Sequence, residues 1–472
     1  MKTHKIYLLI SLVAVMALLL GACAQPTAAP TEVATEAPPV ATEAPVVTEA
    51  PAATEAPATE APAATEAPAE VVELVYMRQA EGSQAELDLV DKFNQEHPGI
   101  HVTVDSVPAE DNYPKLVLTT EAGNPPDVYM TYFTLGAATN GLAQDLTSFI
   151  EAEGKDWFNS LSENGWVFHE YAGKYYAVPW RVAPSMVILN NKLLKKAGLE
   201  PPKNDWTWED FLAYAKAMTN EAAGEYGFCI MGSAEDPGTD YQYYPPLFQA
   251  GGVMINDQGL SAFNSPEGIE ALQWMVDLIN KEKVVPPGTT SATANTCIDL
   301  LAADKVGMWT NASLWLGIIR GTYPDVDISV APMPIHKTTG ALIGGTGFGM
   351  SPKSQHQQEA WEFMKFMTSD ESMRYWTSNF YFTPPNVNIL QDPEFLKDPD
   401  QAATAYAMLN QKMYPLSHYP DNANLESILR SYIQAAYLMD QTPADALAGA
   451  AAEWDPILQQ YQGDNWWAAW TR

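Results

Sequence analysis

Cysteine is scarce in this chain: three residues in 472, at positions 23, 229 and 297. So few thiols exclude a small disulfide-stapled scaffold, and neither their spacing nor their neighbours form a metal-ligand set. Cys229 and Cys297 fit one disulfide and fit two buried thiols equally well. Basic residues are also few, 25 Lys and Arg against 58 Asp and Glu, for a net charge of −33. That field disfavours nucleic acid and anionic headgroups as partners, and a strongly anionic ligand with them. The sequence has no G-x-S-x-G, H-E-x-x-H or G-x-x-x-x-G-K-[ST], and its seven histidines are scattered, which removes the usual marks of hydrolases, zinc peptidases and P-loop enzymes. Asp257-Gln258-Gly259 is too short to be a calcium loop. Carboxylate pairs are abundant enough that counting leaves a glycosidase open, yet nothing marks two of them as a site. No catalytic residue, metal or cofactor is expected.

Long apolar runs are missing too, apart from one at the start. Lys2, His4 and Lys5 precede apolar Ile6 to Leu20, and Leu20-Gly21-Ala22-Cys23 closes the run with small residues. This is the layout of a secretory signal over residues 1–22, since a spanning helix needs about 20 apolar residues. A cysteine directly after the small residues resembles the lipobox of bacterial lipoproteins. That resemblance implies lipidation of Cys23 and an extracytoplasmic protein held at the membrane. An ordinary secretion signal with an incidental cysteine is the alternative. From Ala24 to Glu70 there is no aromatic residue, Lys or Arg, and Thr-Glu-Ala-Pro recurs from Thr35, Thr42, Thr48, Thr54, Thr59 and Thr65. Frequent proline and mutually repelling glutamates describe an extended tether, reaching on the order of 100 Å, that buries too little apolar surface to fold. A glycan-bearing stalk would serve the same purpose.

Residues 71–472 are long enough for a sizeable core and for two or three domains or lobes. They carry 50 acidic and 23 basic side chains, about −27. Val71 to Met77 reads as a strand. Ser83 and Glu86 predict a capping box opening a helix with Leu87, Val90 and Phe93 on one face. Pro98-Gly99 stops it, and Ile100, Val102 and Val104 alternate as a second strand. A helix over about Tyr113 to Ala122 and a strand over Asp127 to Thr131 follow. This β-α-β-α-β order predicts a largely parallel sheet with ligands outside the carboxyl ends of its strands.

Leu87-x-x-Val90-x-x-Phe93-Asn94-x-x-His97-Pro98-Gly99-Ile100-x-Val102 and then Gly123-x-Pro125-Pro126-Asp127-Val128 resemble the opening of family 1 extracellular solute-binding proteins, the maltose-binding type included. Gly173-Lys174-Tyr175-Tyr176-Ala177-Val178-Pro179, Asn190 to Leu199, Trp206-Thr207-Trp208-Glu209-Asp210-Phe211, Lys305-Val306-Gly307-Met308, Gly344 to Met350 and Ala360 to Met367 continue the resemblance in order. It covers nearly all of residues 71–472, and the ordered set is far more specific than any one motif. The resemblance implies a type II periplasmic-binding-protein-like α/β fold of two lobes with a cleft and hinge between them. Residues 71–181 and 343–385 would form the first lobe, and 182–342 and 386–472 the second, with Pro179 and Pro184 bracketing the hinge. It also implies a monomeric receptor for an ABC importer's permease subunits.

Fourteen Trp and 22 Tyr supply flat rings on which sugar C–H faces stack. A sugar or oligosaccharide is therefore the expected small-molecule ligand, with a peptide, polyamine or osmolyte as alternatives. A surface carbohydrate-active enzyme or adhesin is the reading from another class. Trp274 and Trp361 have the spacing of packed core residues. The loop candidates are Arg78, Gln79 and Glu81 after the first strand, Tyr132, Phe133 and Thr134 after the third, and Trp180 and Arg181 at the crossing. On the second lobe they are Asp240 and Tyr241, beside Tyr243 and Tyr244, together with Asn311 and Trp315. Relative to the family's Gly-Ser-Trp-like turn, Trp315 sits one position late. Gly345 and Thr346 would bring backbone amides to a ligand, or form a plain turn. Trp376, Phe380 and Tyr381 wall the cleft or pack. Trp466, Trp467 and Trp470 are packing residues or a closing element.

Overall fold

Alternation in the first segment sends Leu74 and Tyr76 inward, and Val72–Gln79 forms strand β1. The computed structural model describes residues 71–80, 82–377, 382–416, 418–463 and 465–470. The signal, Cys23 and the tether lie outside the described residues, as do Glu81, Phe380 and Tyr381. Helix α1 (Gln84–Glu96) follows with Leu89, Val90 and Phe93 buried, so Leu89 takes the place expected of Leu87. Ser83 holds the N-cap position, but its side chain makes no cap bond. The expected capping box does not form because Glu86 turns inward. Its Oε1 accepts from the Tyr76 hydroxyl at 2.6 Å and lies 3.5 Å from Arg78 Nε. Charge-assisted partners in the interior outweigh one exposed amide.

Strand β2 (Ile100–Val107), helix α2 (Ala109–Glu121) and strand β3 (Val128–Thr131) complete the opening unit. Helix α2 starts four residues earlier than expected. Both β2 and β3 pair with β1 in parallel, as the β-α-β-α-β order requires.

Strand β4 (Val178–Asn190) is buried along its whole length. After it come β5 (Tyr226–Cys229), α3 (Gly238–Gln249), α4 (Ala294–Ala302), β6 (Val306–Ala312), β7 (Ile328–Pro332), β8 (Ala341–Met350), β9 (Met413–Pro415), α5 (Asn422–Tyr437) and α6 (Pro443–Leu458). Among the described residues the main sheet runs β2-β1-β3-β8-β4-β6-β5, with β9 on β8 and β7 on β4. Two strands hold it together. The end of β8 pairs with β3, whereas its middle pairs with Val178 to Pro184 of β4; the rest of β4 pairs with β6 and β7.

Two large apolar cores flank this seam. One gathers Leu74, Phe93, Val128, Trp166, Phe348 and Trp376; the other gathers Ile188, Phe228, Met308, Leu429 and Trp454. The change from one to the other falls within β4, between Trp180 and Val182, and within β8, between Ile343 and Phe348. Cys229 and Cys297 form a disulfide that ties the end of β5 to α4, with Cα atoms 5.7 Å apart.

Candidate ligand-binding site

The carboxyl end of β3 opens onto a cavity of about 750 Å³. Tyr132 and Phe133 leave the strand there, and Thr134 starts a short helix, Thr134–Thr139, along one side. The opposite side is the segment after β9, from Leu416 through His418, Tyr419 and Pro420 to Asp421 and Asn422. Gly344 and Gly345 of β8 line it between the two, and Tyr461 and Trp466 near the C-terminus add a further wall. Gly345 is required by close approach: a Cβ there would lie 2.4 Å from the Arg181 carbonyl oxygen of β4. At Gly344 a Cβ would meet only Leu416 Cδ2, at 3.7 Å.

Eight of the twenty lining residues are Tyr, Phe or Trp, enough to offer apolar faces on several sides of a guest. The polar groups between them are fixed. Tyr132 donates its hydroxyl proton to the Ala109 carbonyl at 2.8 Å, and Tyr113 accepts from Asn140 Nδ2 at 3.0 Å. Thr134 Oγ1 is 2.9 Å from His169 Nδ1. Burial holds His169 neutral, down to about 3, with the nearby His418 adding to the effect. Burial likewise holds His418 down to about 4. Among the described lining residues Asp421 is the one carboxylate, and there is no Lys or Arg.

Behind Tyr419 sits a buried network. Tyr419 and Tyr244 share a hydroxyl–hydroxyl bond of 2.9 Å, and Tyr244 donates to Asp240 Oδ2 at 2.8 Å. Arg430 Nη1 lies 3.5 Å from Asp240 and 3.7 Å from Glu426. Burial pushes Asp240 up to about 8, Glu426 adds to the rise, and Arg430 opposes it.

The residues singled out from sequence thus divide. Tyr132, Phe133, Thr134 and Gly345 line the cavity. Arg78, Gln79, Arg181 and Thr346 come together, but as a buried cluster: Arg181 donates from Nη2 to Gln79 Oε1 at 2.9 Å and from Nε to Thr346 Oγ1 at 2.8 Å. They brace β4 and β8 against β1 and do not line the cavity. Trp180 is 1 % exposed and packs on Phe348 and Trp376, so it belongs to the core and not to the cavity wall. Asp240 and Tyr241 are buried in α3 behind the wall. Asn311 caps its own strand end, accepting from the Ala312 amide at 2.8 Å, and Trp315 packs edge-on against Trp309. Glu81 lies outside the described residues. Sequence reasoning missed Tyr113, Phe168, His418, Tyr419, Asp421 and Tyr461. The run His418-Tyr419-Pro420-Asp421-Asn422, polar and aromatic after a short strand, was the signal available.

Comparison with known proteins agrees with this architecture. Residues 79–374 match the sequence profile described as bacterial extracellular solute-binding protein. A Brucella abortus binding protein is 26% identical over 373 residues, covering 78% of this chain and 88% of the relative. The multiple sugar-binding protein of Streptococcus mutans is 25% identical over 317 residues, covering 64% and 72%. The crystal structure of the cyclic alpha-maltosyl-1,6-maltose binding protein from Arthrobacter globiformis superposes with a TM-score of 0.72 at 21% identity, covering 83% of this chain and 100% of that one. The fold is therefore the two-lobed periplasmic-binding-protein type expected from sequence. Its family consists of binding proteins, and this chain is not an enzyme. The chain belongs to the bacterial extracellular solute-binding protein family.

Proposed function

We propose that this chain is the extracytoplasmic receptor lipoprotein of an ABC importer and captures an uncharged sugar or oligosaccharide in the cavity between β3 and the segment after β9. The observation that carries the reading is the wall chemistry: eight aromatic rings, fixed hydroxyls and amides, one carboxylate and no cation among the described lining residues. Rings stack on sugar C–H faces while the polar groups between them pair with hydroxyls. A polyamine would need several carboxylates, and an anionic solute a cation; neither set is present in that lining.

The two lobes are residues 71–181 with 343–385 and residues 182–342 with 386–472. The guest favours their closed arrangement through its greater affinity for it, and the permease subunits read closure. Cys23 carries the lipid, and residues 24–70 let the receptor range from the membrane. The test is a thermal-shift screen of residues 71–472 against neutral mono- to tetrasaccharides, followed by chromatography of the recovered sugar. Stabilisation by at least one sugar, recovered intact, is expected. No shift across the set, or cleavage of the sugar, overturns the reading.

A further inference from the structure

The residues beyond α6 are held in place by their tryptophans. Trp470 donates its indole N–H to the His418 carbonyl at 2.8 Å and lies against Tyr414 and Tyr419, which fastens the end of the chain to the segment after β9. Trp467 packs over Gly259, where a Cβ would come within 2.4 Å of its ring; this accounts for the glycine in Asp257-Gln258-Gly259, whose φ of +70° also suits no other residue well. Immediately before these two anchors, Trp466 is 2 % exposed and lines the cavity. Its Nε1 donor is buried without a partner, and so is Nε2 of His418 in the same cavity wall. Unpartnered indoles also occur at Trp180, Trp309 and Trp376, but those rings do not line the cavity. A buried donor without a partner is costly to keep, and at a cavity wall a guest can supply the missing partner.

We propose that the C-terminal tryptophan segment is a ligand-contacting wall, in which the Trp466 indole N–H and His418 Nε2 form a neutral hydrogen-bonding pair for hydroxyls of the guest. This rests on the uncharged-saccharide reading of the same cavity. Burial keeps His418 uncharged at neutral pH, so the pair adds directionality without adding charge, and Tyr461 extends the same wall.

The experiment titrates wild type, Trp466→Phe and His418→Gln by calorimetry with maltotriose, N,N′-diacetylchitobiose and raffinose as probes. Trp466→Phe keeps an aromatic ring while removing the N–H together with part of the indole's volume. An indole ¹H–¹⁵N spectrum, with the Trp466 peak identified by its loss in that variant, is recorded with and without the tightest probe. The expected results are a dissociation constant raised about 3- to 10-fold in each variant and a shift of the Trp466 peak on binding. Probe binding that is unaltered in Trp466→Phe, with a stationary indole peak, overturns the wall and leaves the saccharide reading standing. Failure of wild type to bind any probe overturns both.

Discussion

Removing the Cys229–Cys297 disulfide gives the most quantitative check on the fold. The bond closes a loop of 68 residues that joins β5 to α4, and both cysteines are essentially unexposed. In the chain-entropy description a loop of that length restricts the unfolded ensemble by about 4 kcal/mol at 25 °C. With roughly 2 cal/mol/K of unfolding entropy per residue over about 400 residues, that corresponds to a drop in Tm of about 5 °C if the whole body melts together. The drop grows to about 9 °C if the core containing Phe228 and Met308 melts by itself. The perturbation is the double variant Cys229→Ala/Cys297→Ala, since a single replacement would leave a thiol free to pair elsewhere. Scanning calorimetry of oxidised wild type and variant supplies the shift. Peptide mapping after alkylation in denaturant supplies the bond itself. A shift below 1 °C would refute the entropic reasoning, and alkylated Cys229 and Cys297 peptides from unreduced protein would refute the pairing.

Three further outcomes are expected. Trp180→Ala should lower stability by about 3–5 kcal/mol through a core cavity while leaving the affinity of the folded protein within twofold; chemical denaturation and calorimetry separate the two, and the reverse pattern would move Trp180 into the site. Gly345→Ala should cost about 1–3 kcal/mol because the strands cannot part, whereas Gly344→Ala, whose Cβ meets only Leu416 at van der Waals distance, should keep the thermal midpoint; equal midpoints for the two variants would contradict the register of β8. Acidification should destabilise the protein between pH 6.5 and 5. His169 and His418 stay neutral in the fold, at about 3 and about 4, while the unfolded chain takes up their protons below 6.5, so each favours unfolding by about 1.4 kcal/mol per pH unit. Asp240, raised to about 8, is protonated in the fold and contributes the opposite slope over the same window. The unfolded histidines are only half protonated at pH 6.5, so the net loss is about 1 kcal/mol, and His418→Gln should nearly abolish it in urea melts at pH 5 and 6.5.

Local pattern carried the opening unit. Alternation and the Pro98-Gly99 stop placed β1 and β3 within two residues and the start of β2 at Ile100, though β2 runs three residues past Val104, because strand period and turn chemistry are properties of neighbouring residues. The site was legible to the same depth: Tyr132, Phe133 and Thr134 follow from the rule that ligands gather at the carboxyl ends of parallel strands. Arg78 and Gln79, which follow the same rule, and Arg181, singled out at the crossing, have another role. Glu86, expected at a helix cap, turns inward and engages Tyr76 and Arg78, and Arg181 reaches Gln79 and Thr346, which leaves that group bracing strands. Trp180 shows why an aromatic residue at a crossing cannot be assigned by position alone: its neighbours Phe348 and Trp376 come from more than 150 residues further along the chain.

By itself the sequence determined that the chain is acidic, α/β and built on the solute-binding pattern, since charge, hydrophobic period and motif order are all linear properties. Only the tertiary structure decided that Cys229 and Cys297 are joined, that Trp180 is core, and that His418, Tyr419 and Trp466 line one cavity with Tyr132 and Phe133. Each of those facts depends on which distant segments β4 and β8 draw together, and side-chain surroundings fixed by long-range pairing leave no trace in local spacing.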